Sequence, residues 1–414
     1  MARVGDKRND DLAGSGSPGL SFYLPEVSRK HTVLHIPGSH TLYVGPLSCT
    51  RRHDIHARQY GERKDVSFLF ISQADVVSGR YEDLMVESVG ELLELLDPAP
   101  RIFQLAVFCI DDFLGTDETA LLERLRRAYP QCQFAIDHID PVSLNERMNM
   151  ASNLLSTQYS FILPRAPHEH DNGVNLLGTF VPFDPDCDLL HMLAGWGLGP
   201  LRALHACETY EDYQAMGASR LALVFRLMNT ASADFMRDRL GIPYIVATPS
   251  YDAQAVAHLY CDIARELGEP EPDLSAQVEA CREDAQRTAR LLDGLPVAVD
   301  CEFSLMVFAA AKALLGYGFN VRCIFRSNHR FKLDAQAESF ILEQCPQVLV
   351  TRAESHTHLY ESALGSDCLA LGVDCARLLD ARYVVDIWHD EGYFGFQGIH
   401  KLMAAIRAAV GKEG

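Results

Sequence analysis

"RIFQLAVFCIDDFLGTDETALLERLRRAY", residues 101–129, decides how this chain is read. It opens on a short, almost wholly apolar run with aromatic and β-branched members, the length of one buried strand. Gly115 then breaks the pattern, Thr116 or Asp117 stands where a helix N-cap belongs, and Leu121, Leu122 and Leu125 recur at helical spacing. A buried strand running straight into an amphipathic helix is the repeating unit of a parallel sheet.

The same alternation lies on both sides. "VSFLFI" (66–71) precedes "YEDLMVESVGELLELL", and "QFAI" precedes "PVSLNERMNMASNLL". The rhythm restarts at "GVNLLGTFV" (173–181), continuing through "RLALVFR" and "GIPYIVA", and again at "LPVAVD" (295–300), followed by "GFNVRCIF", "PQVLV" and "ARYVVDI". A polar helical stretch over about 268–293 separates the last two blocks, and "GIHKLMAAIRAAV" closes the chain as a helix. The expectation is an α/β protein of three doubly wound, Rossmann-like domains with parallel sheets. Its divisions are a flexible tail over 1–30, a first domain over 31–165, a second over 166–290 and a third over 291–414. In such sheets ligands bind beyond the carboxyl ends of the strands.

The 414 residues are 48% apolar and 22% charged, ample for more than one core. A net charge of −19 argues against nucleic acid or an anionic membrane as the main partner, although Arg51, Arg52 and Arg58 form a local basic patch. No stretch approaches the roughly 20 apolar residues of a membrane span. "MARVGDKRNDDLAGSGSPG" lacks the apolar core of a signal peptide, so a cytoplasmic protein with reduced cysteines is expected.

The common nucleotide fingerprints are missing: no GxGxxG follows a strand and there is no GxxxxGK[ST]. No CxxC pair suggests zinc. "LLGYGFNV" reads as a helix stop. The close histidine pairs His53/His56, His168/His170 and His356/His358 suit metal binding or proton relay, and equally a solvated loop or face. Most of the 12 cysteines should be small core residues. Two stand out by position. Cys49 follows "HTLYV" and the turn Gly45-Pro46, and Cys109 ends the strand quoted above. Both fall at carboxyl ends of strands, where unpaired backbone N–H groups can hydrogen-bond a thiolate sulfur. On position alone each is either a buried side chain or a ligand.

"GPLSC" followed, two strands on, by "AVFCIDDFLGTD" resembles the first domain of the nitrogenase component 1-like oxidoreductases. That superfamily includes the nitrogenase molybdenum–iron protein, the dark-operative protochlorophyllide reductase and the nickel-sirohydrochlorin reductive cyclase. "RLALVFRLMNTASADFMRDRLGIPYI" (220–245) is similar to its second-domain strand–helix–strand, and "HDEGYFGFQGIHKLM" (389–403) to the third-domain turn into the last helix. The resemblance runs over roughly 30–410. It implies that Cys49 and Cys109 ligate iron, with Gly45, Pro46 and Gly115 shaping the cofactor-binding turns. Thr116 stands where the family carries Asp.

The resemblance also shows departures. Upstream, "LSFYLPEVSRK" lacks the further cluster cysteine of nitrogenase, leaving a two-cysteine chain. A [4Fe–4S] cluster takes about four ligands, so a homodimer with one bridging cluster is expected. A carboxylate such as Asp111 or Asp112 is the alternative within one chain. Val224 and Phe394 stand where nitrogenase holds its large cofactor through Cys and His, so dinitrogen reduction is not implied. What remains is an interdomain cavity for a small organic substrate, tetrapyrroles being one class, with Arg226, His389 and Tyr393 nearest it. An ATP-dependent iron–sulfur reductase is the implied electron donor. The alternatives are a cofactor-assembly scaffold or carrier of the same fold, and a binding protein that has lost the cluster.

Overall fold

The computed structural model describes residues 36–59, 61–139, 149–326, 331–352 and 364–411. The tail over 1–30, residues 141–148, His356 and His358 lie outside them, as do the side chains of Arg52 and His56.

Every strand pairing among these residues is parallel. The first sheet holds β1 (Ser39–Gly45), β2 (Val66–Phe70), β3 (Ile102–Phe108) and β4 (Gln133–Ile139), in the order β2-β1-β3-β4. The second holds β5 (Val174–Leu177), β6 (Leu201–Arg202), β7 (Leu221–Val224) and β8 (Tyr244–Val246), ordered β6-β5-β7-β8. The third holds β9 (Pro296–Asp300), β10 (Asn320–Arg326), β11 (Leu349–Arg352), β12 (Leu369–Leu371) and β13 (Tyr383–Val385), ordered β11-β10-β9-β12-β13. Each order runs outward in both directions from a central strand, which is the doubly wound arrangement with one switch point per sheet.

The chain packs as two compact units. One comprises His31–Thr179 with Pro200–Val246 and carries the first two sheets; the other comprises Phe180–Gly199 with Ala247–Gly414 and carries the third. In the first unit β3 is buried at every position, Gln104 included, as its nearly continuous apolar run suggests for a central parallel strand. Phe103, Leu105 and Val107 pack with Leu42, Val44, Met85, Val89, Leu121 and Leu125 from the neighbouring strand and helices. Burying each such side chain is worth about 1.5–3 kcal/mol. In the second unit Val297, Val299, Val321 and Ile324 meet Leu402, Met403 and Ile406 of the closing helix. The helix Glu118–Ala128 starts where the sequence places it, and Asp117 rather than Thr116 caps it, accepting from the Ala120 amide at 3.0 Å. Two strands had no sequence signal: β6 is two residues long and β12 three.

Candidate functional site

In the first sheet the switch point lies between β1 and β3, which pair directly from Ser39↔Ile102 to Val44↔Val107. Both strands therefore end at one edge, and both run at once into a helix. After β1, Pro46 offers its carbonyl to the amides of Cys49 and Thr50, opening the helix Leu47–Gln59. After β3, Cys109 is the first residue of the helix Cys109–Leu114. That helix ends at Gly115, whose φ of +65° is a left-handed cap that favours glycine, and its amide donates to the Asp111 carbonyl. Gly45 has another reason. A Cβ there would stand 2.6 Å from the Phe108 ring, so the close approach of the two strand ends demands a bare backbone.

The structure thus sets Gly45, Pro46, Cys49 and Cys109 at or just after the two strand ends where the order reverses, with Gly115 at the end of the short helix that Cys109 begins. None of the twelve cysteines is in a disulfide; eight are buried, and Cys49, Cys109, Cys207 and Cys261 are half-buried. Large apolar side chains stand exposed along the same strand ends and the helices that follow them: Leu47 (64%), Ile55 (51%), Phe70 (54%) and Phe113 (81%). Beneath them Tyr43 stacks on His53 at 4.6 Å and on Phe68 at 5.4 Å, and His53 meets Phe108 edge-on at 5.5 Å. His53 is thereby committed to packing. Burial, then the charges of Glu62 and Asp137, push the Tyr43 phenol up to about 12. The basic patch is partly spent, since Asp54 pairs with both Arg58 and Arg63 at 3.0 Å.

Asp111 and Asp112 have partners of their own. Thr116 donates to Asp111 at 2.8 Å, and His138 Nδ1 lies 3.2 Å from Asp112. His138 Nε2 lies 2.7 Å from Glu118. Burial alone would lower the His138 pKa; Glu118 and the Asp112 and Asp111 charges outweigh it and raise it. Nothing in the sequence reading marked His138, though an Asp-His pair at the carboxyl end of a strand was a usable signal.

The other expected site residues lie elsewhere. Arg226 is buried just past β7, its Cβ 3.0 Å from where a Cβ on Gly178 would stand. His389 and Tyr393 belong to the unit that carries the third sheet. His389 and Asp390 take φ of 47° and 61°, a left-handed conformation that non-glycine residues adopt only when neighbours hold it. The holders are visible: the two amides donate to the carbonyls of Glu302 and Phe303, Trp388 stacks on the imidazole at 4.5 Å, and Glu391 accepts from the amides of Phe180 and Val181 at 2.9 Å. Burial raises the Tyr393 phenol, and Lys401 Nζ stands 5.1 Å from its ring. Val224 and Phe394 are core residues, Phe394 packing edge-on against Phe183 at 5.6 Å. His168 is exposed while His170 turns Nδ1 to the Ser219 carbonyl at 3.2 Å, so this pair does not act together.

Cys281 lies in the helix Ser275–Leu292 of the polar stretch over about 268–293 and is fully buried, with Sγ 3.4 Å from His400 Nε2, while His400 Nδ1 lies 2.8 Å from Asp284. Burial, then Asp188 and Asp284, push its thiol up to about 12. A protonated thiol sealed from solvent is a packing residue, whatever its partners suggest.

The model of the family described as nitrogenase component 1 type oxidoreductase matches residues 30–411. Among solved structures, "Nitrogenase Cp1 at pH 6.5" superposes with a TM-score of 0.69 at 15% identity, covering 91% of this chain and 89% of its own. "Nitrogenase Cp1 at pH 5" gives 0.62 at 15% identity, covering 92% and 87%. At that identity the likeness speaks for the fold. No curated protein matches the chain. No helix among the described residues is long and apolar enough to cross a membrane.

Proposed function

This chain belongs to the nitrogenase component 1 type oxidoreductases, and on that premise we propose that it is the reductase component of a nitrogenase-like system. It takes electrons from an ATP-dependent iron–sulfur reductase through a [4Fe–4S] cluster bridging a homodimer, and reduces an organic substrate of the tetrapyrrole class. Members of the family carry iron–sulfur clusters and work with an iron-protein partner.

What supports this reading is that Cys49 and Cys109 lie at the starts of the helices that follow two neighbouring strand ends at a switch point, both half-buried. The donor set fits half a cluster: two thiolates, where a cube takes about four ligands. A second copy supplies the other two, and the exposed Leu47, Phe70 and Phe113 suit a surface that a copy covers. When bound, such a cluster supplies low-potential one-electron transfer that hydride cofactors do not. The chain's own work there is to present two sulfurs from a rigid sheet edge, with Gly45 letting the strand ends close and Gly115 turning the chain after Cys109.

Against dinitrogen as substrate stand Val224 and Phe394, neither of which can ligate metal, at the positions where the resemblance puts the nitrogenase cofactor's ligands. Arg226, His389 and Tyr393 are carried as substrate-facing groups, residue by residue. Arg226 would pair with an anionic substituent. His389 is held in a strained backbone with Nε2 3.9 Å from Glu302, and its imidazole is the proton carrier of this reading. Tyr393, its pKa raised by burial, stays a proton donor at neutral pH.

Anaerobic purification tests the proposal. A brown protein with about four irons per dimer, losing its iron on Cys49→Ala or Cys109→Ala, supports the cluster. Turnover with a cognate reductase and ATP, abolished by His389→Ala with iron retained, supports the enzyme. Iron without turnover indicates the scaffold or carrier instead. A colourless protein that stays metal-free after reconstitution overturns both.

A further inference from the structure

The same sheet edge gathers a second set of donor atoms that the cysteine pair does not use. Asp111, Glu118 and His138 each bring one ligand atom to within 4.8 Å of the others. They come from three elements: the helix after β3, the first turn of Glu118–Ala128, and the end of β4, where His138 pairs with Val107. Asp111 is only 2% exposed, and the hydrogen bond it receives from Thr116 falls on Oδ1.

An independent observation points into this cluster. Tyr81 is 4% exposed, and its hydroxyl has no partner within hydrogen-bond distance. Burial, then the Asp111 charge and a hydrogen-bonding interaction with that carboxylate, raise its pKa, so the hydroxyl faces Asp111. A buried hydroxyl without a close partner, facing a carboxylate, leaves room for a further ligand on that carboxylate.

We infer that Asp111, Glu118 and His138 form a binding site for one divalent first-row metal ion, with the Tyr81 hydroxyl beside it. One imidazole nitrogen with carboxylate oxygens is a donor set of intermediate hardness, suited to Mn²⁺, Fe²⁺ or Zn²⁺. Bonds of about 2.0–2.2 Å require the donors to draw together from their present spacing, and Glu118 at 42% side-chain exposure is free to swing. The same exposure opens a path from solvent. Binding displaces the proton held between His138 Nε2 and Glu118, and that proton leaves to water. The ion would tie β4 to both helices that follow β3. It would thus brace the segment after Cys109 without drawing on either cysteine.

Mn²⁺ is the probe of choice, because it favours oxygen and imidazole donors over thiolate. Titrated into the anaerobically purified full chain, with free Mn²⁺ followed by its EPR signal, it should bind saturably at one site per chain. The Cys49→Ala/Cys109→Ala double variant should bind it equally. His138→Ala and Glu118→Gln should each weaken binding by roughly tenfold or more. Mn²⁺ should also raise the melting temperature of the wild type and of the double cysteine variant, and should not raise that of His138→Ala. Thermal melting of the metal-free variants checks that each is folded. Absence of saturable binding to the wild type overturns the inference, as does undiminished binding to both folded variants. Loss of Mn²⁺ from the double cysteine variant would overturn it too, by assigning the ion to the thiolates.

Discussion

Gly45 and Phe108 meet at the carboxyl ends of two adjacent strands, so closely that a Cβ on residue 45 would stand 2.6 Å from the ring. Each residue stands just ahead of the helix that carries one candidate cysteine, Cys49 after Gly45 and Cys109 after Phe108.

Gly45→Ala should therefore cost about 1–3 kcal/mol of stability through overpacking, read from urea denaturation. Because the clash is with one ring, the penalty should shrink markedly in a Phe108→Ala background, a non-additivity expected of touching residues. A Gly45→Ala protein as stable as wild type would mean that the strand ends are not packed as described.

Cysteine substitutions should separate into two classes. Cys49→Ala and Cys109→Ala remove half-buried side chains and should change the stability of the metal-free chain by less than about 1 kcal/mol, while eliminating bound iron. Cys281→Ala removes a fully buried sulfur packed against His400 and the Phe396 carbonyl. It should cost about 1–2 kcal/mol and leave iron untouched. Iron analysis and denaturation on the same three variants decide the matter, and a reversed pattern would refute the ligand assignment.

Asp284 should set part of the acid limit of the closing helix. Burial opposes its charge, but hydrogen bonds from His400, Arg407 and Arg287 outweigh it and hold the carboxyl below the usual range. A depressed folded pKa stabilises above the unfolded value near 3.9, and that contribution disappears as pH falls through the folded pKa. Asp284→Asn should cost about 2–4 kcal/mol at pH 7, since Arg407 at 16% side-chain exposure loses its buried anion. The gap between variant and wild type should narrow steadily below about pH 4. Stability curves that stay parallel down to pH 3 would exclude this role.

Charge placed on the exposed apolar edge should break the proposed homodimer before it breaks the fold. Phe113→Glu and Leu47→Glu alter side chains that are 81% and 64% exposed, so monomer stability should move by less than about 0.5 kcal/mol. Light scattering after size exclusion should show a monomer, and iron should fall with it, because two sulfurs alone hold a cube poorly. A variant that remains dimeric with full iron would place the interface elsewhere.

Much of this protein was present in local pattern. An almost wholly apolar run such as 102–108 points to a central parallel strand, since an edge strand would leave part of it in water. Gly115 and the Gly-Pro turn at 45–46 could be read because backbone geometry is a property of a few adjacent residues. The two candidate cysteines were legible for the same reason: each directly follows a strand. β6 and β12, two and three residues long, exist only because a neighbouring ladder completes them. The adjacency of β1 and β3 follows from strand order, and it alone puts Cys49 and Cys109 on one edge. Likewise His138 reaches Glu118 across 20 residues and Cys281 meets His400 across 119. Sequence by itself determined which segments form strands and helices, because burial and backbone preference act locally. Tertiary structure decided which side chains meet, because contacts between distant residues depend on the order in which strands join the sheet.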